Sequence, residues 1–337
     1  MDARTSIVTV TLNTAVDRVL EVENFAIGGH LRAREVARYP AGKGINVSRS
    51  LARLGVDNIA TGFTGQPEAG QFEQLLAGAG PGRAVDQLLT ARGRTRENIT
   101  ILDPVEHTDT HVRTSGYEVT RRDLQRIVSK LGLLTREGAI VTFSGSLPPG
   151  MNPVDLDTLL YVVLGGGGRV VADLSGDLLK QCTSIDLEIS GELDRSERYT
   201  GPKMLWMVKP NRNELAEALG IDRKLTEQEV LAAGRRLAER VTWVVITLGA
   251  DGALLFGEEG TWRARCEIPP EDVVSTVGCG DSLLAGLLEA QLHGGEPPQM
   301  LKRGVATATA NAVHTGIADF TLDLVRELES QTVVDSV

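Results

Sequence analysis

The chain repeats one pattern along most of its length: a short run rich in Val and Ile, a loop containing glycine, and an amphipathic helix. Runs so dense in β-branched residues are typical of strands covered on both faces, and intervening helices join such strands in parallel. The alternation therefore predicts an α/β fold with a mostly parallel central sheet and helices on both faces. The predicted strands are Ile7–Leu12, Ile140–Phe143, Arg169–Asp173, Met204–Val208 and Trp243–Leu248.

Seven segments carry apolar residues three and four positions apart, which is the spacing of one helix face. Gly55 directly follows the first of them, and glycine is a frequent helix terminator. The predicted helices are Ile45–Leu54, Arg121–Leu134, Val154–Leu164, Asn213–Leu219, Glu227–Glu239, Asp281–Leu292 and Met300–Thr315.

Three stretches break the alternation. Asp17–Tyr39 and Arg92–Ser115 alternate polar and apolar residues and contain no good helix. We expect them to form a small antiparallel β lid over the carboxyl ends of the main strands, where open α/β sheets bind ligands. Ser184–Lys203 is dense in both charges and is predicted to be a solvated insertion. The whole chain, residues 1–337, is otherwise predicted to be a single domain.

Composition limits the partners and the compartment. A net charge of −10 disfavours nucleic acid and anionic membranes as main partners, because both select basic surfaces. No apolar run approaches the roughly 20 residues that span a bilayer, and Met1–Thr5 has no signal-peptide pattern, so we expect a cytoplasmic protein. The three cysteines Cys182, Cys266 and Cys279 lack metal-type spacing, which favours reduced thiols.

The sharpest local feature is the glycine-rich turn Ser275–Ser282, which leads directly into a predicted helix. Free backbone N–H groups and the positive end of the helix dipole make such a turn an anion site suited to a phosphoryl group. Asp281 beside this site suggests a base that accepts a proton from an attacking hydroxyl. The alternative is that Asp281 only caps the helix, but the glycines favour the catalytic interpretation.

A second glycine-rich loop opens the first predicted helix. Gly42 and Gly44 flank Lys43 and allow close approach of a ligand, while Asn46 can hydrogen-bond a sugar hydroxyl. A solvated lysine and an asparagine cap are the structural alternatives. Neither the P-loop motif nor a dinucleotide-binding glycine motif between a strand and a helix is present, which disfavours those folds.

Ala41–Gly55 and Ser275–Gly286 together resemble the two signature regions of the ribokinase-like sugar kinases. Further segments are similar to the phosphofructokinase B family, and the likeness covers nearly the whole chain. These segments are Thr11–Asn13 with Asp17, Thr95–Asn98, Ser144–Gly150 and Val208–Leu215.

The resemblance implies a ribokinase-like fold and a kinase that uses ATP and Mg²⁺. Its expected reaction is phosphorylation of a ketohexose phosphate, first of all fructose 1-phosphate to fructose 1,6-bisphosphate. Activity on fructose 6-phosphate or tagatose 6-phosphate stays open. A non-catalytic sugar-phosphate sensor is a further alternative, although Asp281, Asn211 and Glu214 together argue against it. The resemblance also implies a homodimer formed through the lid.

The resemblance assigns roles to individual residues. Asp281 is the expected general base, and Val277 to Gly280, with Gly278, Cys279 and Gly280 as its catalytic members, are expected to form the anion hole. Arg96 is the expected phosphate clamp, because its planar fork suits a dianion. The full set expected around the sugar phosphate is Asp17, Gly42, Lys43, Asn46, Arg96 and Ser146. The set expected around the nucleotide is Lys209, Asn211, Glu214, Thr247, Gly249, Gly252 and Asn311, of which Asn211 and Glu214 would hold Mg²⁺ through water.

Structural alternatives accompany several of these roles. Asn211 and Glu214 also suit a helix cap with an acidic first turn, and Asn311 can be explained by helix packing. Arg96 in isolation would be taken for an exposed strand residue. Two positions depart from the family pattern: Thr14 stands where Pro is frequent, and Cys279 stands where Ala is frequent.

Overall fold

The computed structural model describes residues 6–183 and 203–337, so the predicted insertion lies, except for Lys203, outside the described residues. Fourteen strands form two sheets within these ranges. The strands are β1 (Ile7–Thr11), β2 (Ala15–Glu21), β3 (Arg34–Ala41), β4 (Asn58–Gly65), β5 (Ala84–Ala91), β6 (Arg96–Asp103), β7 (Thr108–Arg113), β8 (Ile140–Gly145), β9 (Arg169–Leu174), β10 (Leu205–Val208), β11 (Val241–Thr247), β12 (Ala253–Gly257), β13 (Gly260–Arg265) and β14 (Val333–Ser336).

All seven predicted helices are present, with ends that differ from the predicted ones by at most three residues. Three further helices were not among the predictions; they span Ala69–Ala77, Gly176–Thr183 and Leu322–Gln331. The α-helices of the described ranges are α1 (Lys43–Arg53), α2 (Ala69–Ala77), α3 (Arg121–Leu134), α4 (Pro153–Gly165), α5 (Gly176–Thr183), α6 (Arg212–Ala218), α7 (Glu227–Ala238), α8 (Cys279–Leu292), α9 (Pro297–Ala312) and α10 (Leu322–Gln331).

The larger sheet has the order β14-β13-β12-β11-β10-β9-β8-β1-β4-β5. Seven neighbouring strands of this sheet pair in parallel; in spatial order they are β5, β4, β1, β8, β9, β10 and β11. Strands β12, β13 and β14 extend the sheet by antiparallel pairing. Apolar side chains of α1, α8, α9 and α10 cover one face, and those of α3, α4 and α7 cover the other. The predicted mostly parallel sheet with helices on both faces is confirmed.

Strand β1 lies inside this sheet and shows why the apolar runs predicted strands. All five of its residues are buried. Ile7 packs into the core on the α1 and α8 side, whereas Val8 and Val10 pack into the core on the opposite side. Because both faces are covered, the strand needs no exposed polar face, and Thr9 and Thr11, which alternate with its valines, are buried as well.

Strands β4 and β5 were missed because their apolar residues are interrupted. β4 has the sequence NIATGFTG, in which threonines and glycines break the apolar run. Its Gly62 has a φ of +125° and lies against β1, where a Cβ atom would be 2.0 Å from the Thr11 carbonyl oxygen. The position therefore demands glycine for both its backbone conformation and its space.

The smaller sheet has the order β3-β2-β6-β7 and corresponds to the predicted lid. β2 pairs antiparallel with β3, and β6 pairs antiparallel with β7, so each predicted lid segment forms a hairpin. The inner strands β2 and β6 pair in parallel, because they follow β1 and β5, which run in the same direction in the main sheet. The lid is thus two antiparallel hairpins joined by one parallel pairing.

No helix within the described ranges has both the length and the apolarity needed to cross a membrane. No cluster of three or more His, Cys, Asp or Glu side chains in these ranges has an arrangement that could hold a metal ion. Cys182, Cys266 and Cys279 all carry free thiols.

We predict that Gly62→Ala lowers the free energy of unfolding by about 3 kcal/mol or more, because it adds a backbone clash to an unfavourable φ. Gly138→Ala is the matched control, since Gly138 has a φ of +77° but open space around its Cβ position. The control should lose only about 1 to 2 kcal/mol. Urea denaturation of both variants measures the difference, and equal losses would contradict the close approach to β1.

Candidate active site

The candidate active site lies at the carboxyl ends of the parallel strands β1, β8, β9 and β10. This is the edge of the sheet where ligands bind in open α/β folds. The N-termini of α1 and α8 meet at the same place, and a hydrogen bond from Asn46 to Asp281 joins them. The two glycine-rich loops, far apart in sequence, are therefore brought together as predicted.

Asp173, near the end of β9, is the most deeply buried charge of the site. It has no exposed surface, and Lys209 and Lys43 place their Nζ atoms 3.1 Å and 3.4 Å from its Oδ1 atom. Burial by itself raises the pKa of this carboxyl, but the charges of Lys209 and Lys43 outweigh burial and lower the pKa below the ordinary value. Asp173 is therefore an anion held in the interior by two cations.

Lys43 also binds Glu214, whose Oε1 atom is 2.8 Å from its Nζ atom. Burial opposes the charged form of Lys43, yet the charges of Asp173 and Glu214 prevail and raise its pKa. The resemblance places Lys43 with Arg96 around the sugar phosphate. In the structure Asp173 and Glu214 hold Lys43 close enough to Asp281 for their charges to interact, and its role toward the sugar phosphate stays a prediction.

Asp281 lies in the first turn of α8 and is buried. Burial and the nearby charge of Asp173 raise its pKa to about 7, while Lys209, the hydrogen bond from Asn46 and Lys43 work in the opposite direction. Asn46 donates that bond to Oδ2 at 2.8 Å. A carboxylate with a pKa near neutrality is a much stronger base than an ordinary aspartate, which suits proton abstraction from a hydroxyl.

The helices that meet at the site begin without side-chain caps. Gly42 precedes α1 and Gly278 precedes α8, and neither helix has a side-chain hydrogen bond at its start. By contrast, α3, α4, α6 and α7 begin with reciprocal capping boxes. Gly278 has a φ of +78°, a left-handed conformation that suits glycine. Uncapped N–H groups beside two lysines form a cradle for an anion.

Asn311 and Cys279 hold the glycine-rich turn Ser275–Ser282 in place. Asn311 donates from Nδ2 to the Val277 carbonyl oxygen at 2.9 Å, and its Oδ1 accepts from the Ala318 N–H at 2.8 Å. The Cys279 thiol donates to the Ser275 carbonyl oxygen at 3.7 Å, and burial raises its pKa. Asn311 was expected beside the nucleotide. Its contacts connect α9 to the turn, as the helix-packing alternative expects, and its place beside the nucleotide stays a prediction.

Asn211 and Glu214 form the capping box of α6. The Asn211 side chain accepts from the N–H groups of Asn213 and Glu214, and Glu214 Oε2 accepts from the Asn211 N–H at 2.9 Å. The structural alternative considered for this pair is therefore real. It does not remove Glu214 from the site, because the other carboxylate oxygen binds Lys43.

The predicted nucleotide turn adjoins this cap. Thr247, at the end of β11, donates its N–H to the Pro210 carbonyl oxygen at 3.1 Å and forms a bridge with Asn211. Gly249 and Gly252 follow in a tight turn in which the Leu248 N–H donates to the Gly252 carbonyl oxygen at 2.8 Å. The Asn211 and Thr247 segments therefore border the same side of the site.

A second cluster lies at the base of the lid and contains Asp17, Arg96 and Ser146. Arg96 donates from Nε and Nη2 to the Asn13 carbonyl oxygen at 3.4 and 3.3 Å, and from Nη1 to Asn98 Oδ1 at 3.3 Å. Asn98 Nδ2 donates to Asp17 Oδ1 at 2.7 Å, and Asn13 Nδ2 donates to Ser146 Oγ at 3.0 Å. Arg96 is half-buried, so it is not the exposed strand residue of the structural alternative.

Sequence reasoning missed Asp173 and Asn13 as members of the site. Asp173 ends a buried, valine-rich strand, and an acidic residue in that position was a usable signal, since a buried charge needs a partner. Asn13 belongs to the Thr11–Asn13 segment that supports the family resemblance, but its links to Arg96 and Ser146 join residues more than 80 positions apart. No local pattern indicates such contacts.

Known proteins are similar to this chain over most of its length. Residues 5–184 and 194–323 match the pfkB family of carbohydrate kinases, and the break between them falls within the predicted insertion. The 1-phosphofructokinase of Escherichia coli strain K12 is 34% identical over 318 residues, covering 93% of each chain. The tagatose-6-phosphate kinase of Staphylococcus epidermidis is 27% identical, covering 97% of this chain and 99% of that protein.

The solved structures show the same fold. The crystal structure of Escherichia coli phosphofructokinase-2 in complex with potassium matches with a TM-score of 0.80 and 25% identity, covering 97% of this chain and 98% of that one. The expected ribokinase-like fold is confirmed.

We predict that Lys209→Met lowers the free energy of unfolding by about 3 kcal/mol at neutral pH, because Asp173 loses one of its two cations. The lowered pKa of Asp173 stabilises the fold above its unfolded-state pKa of about 4, and this contribution is lost as the pH falls. The penalty should therefore shrink near pH 4. Urea denaturation at both pH values, with exposed Lys203→Met as control, measures it. An equal penalty at both would indicate lost packing instead.

Proposed function

The chain belongs to the pfkB family of carbohydrate kinases, and from this premise we propose that it transfers the γ-phosphoryl group of ATP to a ketohexose phosphate. The preferred acceptor in this proposal is fructose 1-phosphate, which becomes fructose 1,6-bisphosphate. The observation that carries the proposal is the position of Asp281, a buried carboxylate of raised pKa at the uncapped start of α8. A base and an anion cradle side by side are what phosphoryl transfer to a hydroxyl requires.

Asp281 acts as the general base. Its carboxylate accepts the proton of the primary hydroxyl of the acceptor as that oxygen bonds to the γ-phosphorus. The bond between the γ-phosphorus and the bridging oxygen breaks, and ADP leaves with the bond's electron pair. The hydrogen bond from Asn46 fixes one carboxylate oxygen of Asp281 and leaves the other for the hydroxyl.

The helix starts and the lysines hold the negative charge of the transferring group. The N–H groups of Gly278, Gly280 and Asp281 at the start of α8 would face the transferring group, and the helix dipole favours an anion there. The Cys279 N–H already donates to the Thr276 carbonyl oxygen at 3.4 Å. Lys209 lies beside this turn: its Nζ atom would be 3.3 Å from a Cβ atom added to Gly280. These donors are in place before the reaction and need no rearrangement to meet the charge.

The residues present fit Mg²⁺ in the proposed site. Asp173 Oδ2 is buried and has no hydrogen-bond partner among the described residues, and Lys43 bridges Asp173 to Glu214. One or two carboxylates are enough for Mg²⁺, which keeps most of its water. Asp173 and Glu214 would hold the ion, and Asn211 would orient Glu214 through the capping box. When bound, Mg²⁺ neutralises charge on the nucleotide phosphates.

The second cluster would recognise the sugar phosphate. Arg96 offers a planar donor fork that matches a phosphate group, and the Asn98 amide orients it from the side. Asp17 and Ser146 lie near enough to share contacts with Arg96 through Asn98 and Asn13. The lid strands that carry Asp17 and Arg96 would cover the sugar and exclude water.

A second acceptor has support from one comparison, the tagatose-6-phosphate kinase of Staphylococcus epidermidis. A ketohexofuranose carries a hydroxymethyl arm on each carbon beside its ring oxygen. Turning the sugar over therefore nearly exchanges its phosphate-bearing and hydroxyl-bearing ends. Tagatose 6-phosphate and fructose 6-phosphate could each present a primary hydroxyl to Asp281 while meeting Arg96.

A homodimer formed through the lid is part of the proposal. Val36, Leu102 and Val112 lie on three different strands of the lid sheet and are exposed. Exposed apolar side chains on a small sheet favour pairing with another surface. A second copy of the lid would cover them.

We predict that Asp281→Asn lowers kcat by about 10² to 10⁴, the usual contribution of a positioned base. In the wild type, protonation of Asp281 below its pKa of about 7 removes the base, so kcat/KM should fall about tenfold per pH unit in the acid range. Exposed Asp323→Asn is the control and should match the wild type. A variant that keeps more than about a tenth of the wild-type kcat would exclude Asp281 as the base.

We predict that Arg96→Ala lowers kcat/KM for fructose 1-phosphate, with a loss of transition-state stabilisation of about 2 to 4 kcal/mol. The KM for ATP should change little. Steady-state rates with fructose 1-phosphate, fructose 6-phosphate, tagatose 6-phosphate, fructose and ribose test both the substrate class and this residue. Exposed Arg92→Ala is the control. If wild-type kcat/KM for free fructose or ribose equals that for every ketohexose phosphate, the sugar-phosphate proposal fails.

A further inference from the structure

Tyr117 is a buried tyrosine to which the proposed reaction assigns no role. It lies in the segment that returns from β7 of the lid to α3, and only 2% of its surface is exposed. Its ring packs in the main core with Leu12 and Phe63. Its hydroxyl reaches the carboxyl ends of β1 and β4, lying 3.0 Å from the carbonyl oxygens of Leu12 and Phe63.

Thr14 completes the hydrogen bonds of this hydroxyl. The Thr14 N–H donates to the Tyr117 oxygen at 3.1 Å, and Thr14 Oγ1 donates to the Phe63 carbonyl oxygen at 2.8 Å. The Tyr117 hydroxyl has one proton to donate. Because the Thr14 hydroxyl already donates to the Phe63 carbonyl, the Tyr117 hydroxyl can donate to the Leu12 carbonyl. Burial raises the pKa of Tyr117 to about 12, so this proton is retained at neutral pH.

The turn held in this way contains Asn13, the residue that joins two predicted substrate contacts. Its carbonyl oxygen accepts from Arg96, and its side chain donates to Ser146. Leu12 and Thr14, the residues on either side of Asn13, both bond to the Tyr117 hydroxyl. The direction of the Asn13 carbonyl, and with it the direction of the Arg96 fork, therefore depends on Tyr117.

The returning segment also fixes the backbone of Arg96 independently. Thr114 donates its N–H to the Glu97 carbonyl oxygen at 3.0 Å, and the Glu97 N–H donates to Thr114 Oγ1 at 2.7 Å. Gly116 lies so close that a Cβ atom there would be 2.7 Å from the Arg96 nitrogen. Tyr117 thus stands at the point where both lid hairpins attach to the main sheet.

We propose that Tyr117 and Thr14 are positioning residues for phosphate recognition: their hydroxyls lock the Asn13 turn and thereby aim Arg96 and Ser146 at the phosphate of the acceptor. This inference rests on the proposed function and deepens it. In this proposal, Tyr117 and Thr14 affect the affinity for the phosphate end of the sugar. They do not affect the proton transfer at Asp281, which lies in the other cluster.

The expected effect is selective. Tyr117→Phe removes the hydroxyl and keeps the ring, so KM for fructose 1-phosphate should rise by roughly three- to tenfold, the effect of one lost buried hydrogen bond. The KM for ATP should stay within about twofold, and so should kcat at saturating sugar phosphate. Activity on free fructose, which has no phosphate for Arg96, should not fall further.

Thr14 provides a second test that leaves the aromatic core intact. Thr14→Val removes the hydroxyl at nearly constant shape and should raise the same KM, whereas Thr14→Ser keeps the hydroxyl and should restore it. Combining Tyr117→Phe with Thr14→Val should cost less than the sum of the single effects, because the two residues act as a unit. Tyr161→Phe, at an exposed tyrosine, is the control.

The experiment is steady-state kinetics of all variants with ATP and fructose 1-phosphate or fructose, together with calorimetric binding of fructose 1-phosphate. Unchanged KM in Tyr117→Phe and Thr14→Val, or an equal rise in the KM for ATP, would overturn the positioning role. A wild type that binds fructose 1-phosphate without phosphorylating it would overturn the proposed activity alone, since the variants' Kd would still report the positioning. A wild type that does not bind it would overturn both.

Discussion

The site depends on one buried charge, the carboxylate of Asp173. An isolated carboxylate without exposed surface would be strongly destabilising, and the fold compensates with two lysines that come from different elements. Lys43 begins α1 and Lys209 follows β10, so the balance of charge fixes two chain segments against the end of β9. It also leaves a negative charge near Asp281, and that charge and burial together raise the pKa of Asp281 toward neutrality. The charge balance of Asp173 and the raised pKa of Asp281 are therefore linked.

The helices that start at the candidate site differ from several others in how they begin. Helices α3, α4 and α7 satisfy their first N–H groups with capping boxes that use their own side chains. Helices α1 and α8 begin at glycines and leave these groups for a ligand, and they meet where the hydrogen bond from Asn46 to Asp281 joins them. Helix α6 is intermediate, because Glu214 completes a cap and also binds Lys43. The anion cradle therefore depends on the absence of side-chain caps at the N-termini of α1 and α8.

The sequence predicted the parts of the fold whose cause is local. β1 and β8 to β11 were found because strands buried on both faces are dense in apolar, mostly β-branched residues, whereas β4 was missed because its glycines and threonines reflect close packing against β1. Asp281 was found because glycine and helix start adjoin it in sequence. The partners of Lys43 and the hydroxyl contacts of Tyr117 could not be predicted, since each depends on residues distant along the chain that only the folded sheet brings together.

The central claim is that Asp281 faces the acceptor hydroxyl while Arg96 holds the phosphate at the other end of the sugar. The most direct measurement is a crystal structure of the protein with fructose 1-phosphate and a non-hydrolysable ATP analogue, read as the distance from an Asp281 carboxylate oxygen to the sugar's 6-hydroxyl oxygen. We expect about 3 Å, within hydrogen-bond reach, with the sugar's phosphate on the Arg96 guanidinium. A hydroxyl beyond hydrogen-bond reach of Asp281, or a sugar phosphate bound at the start of α8 in place of the nucleotide, would contradict it.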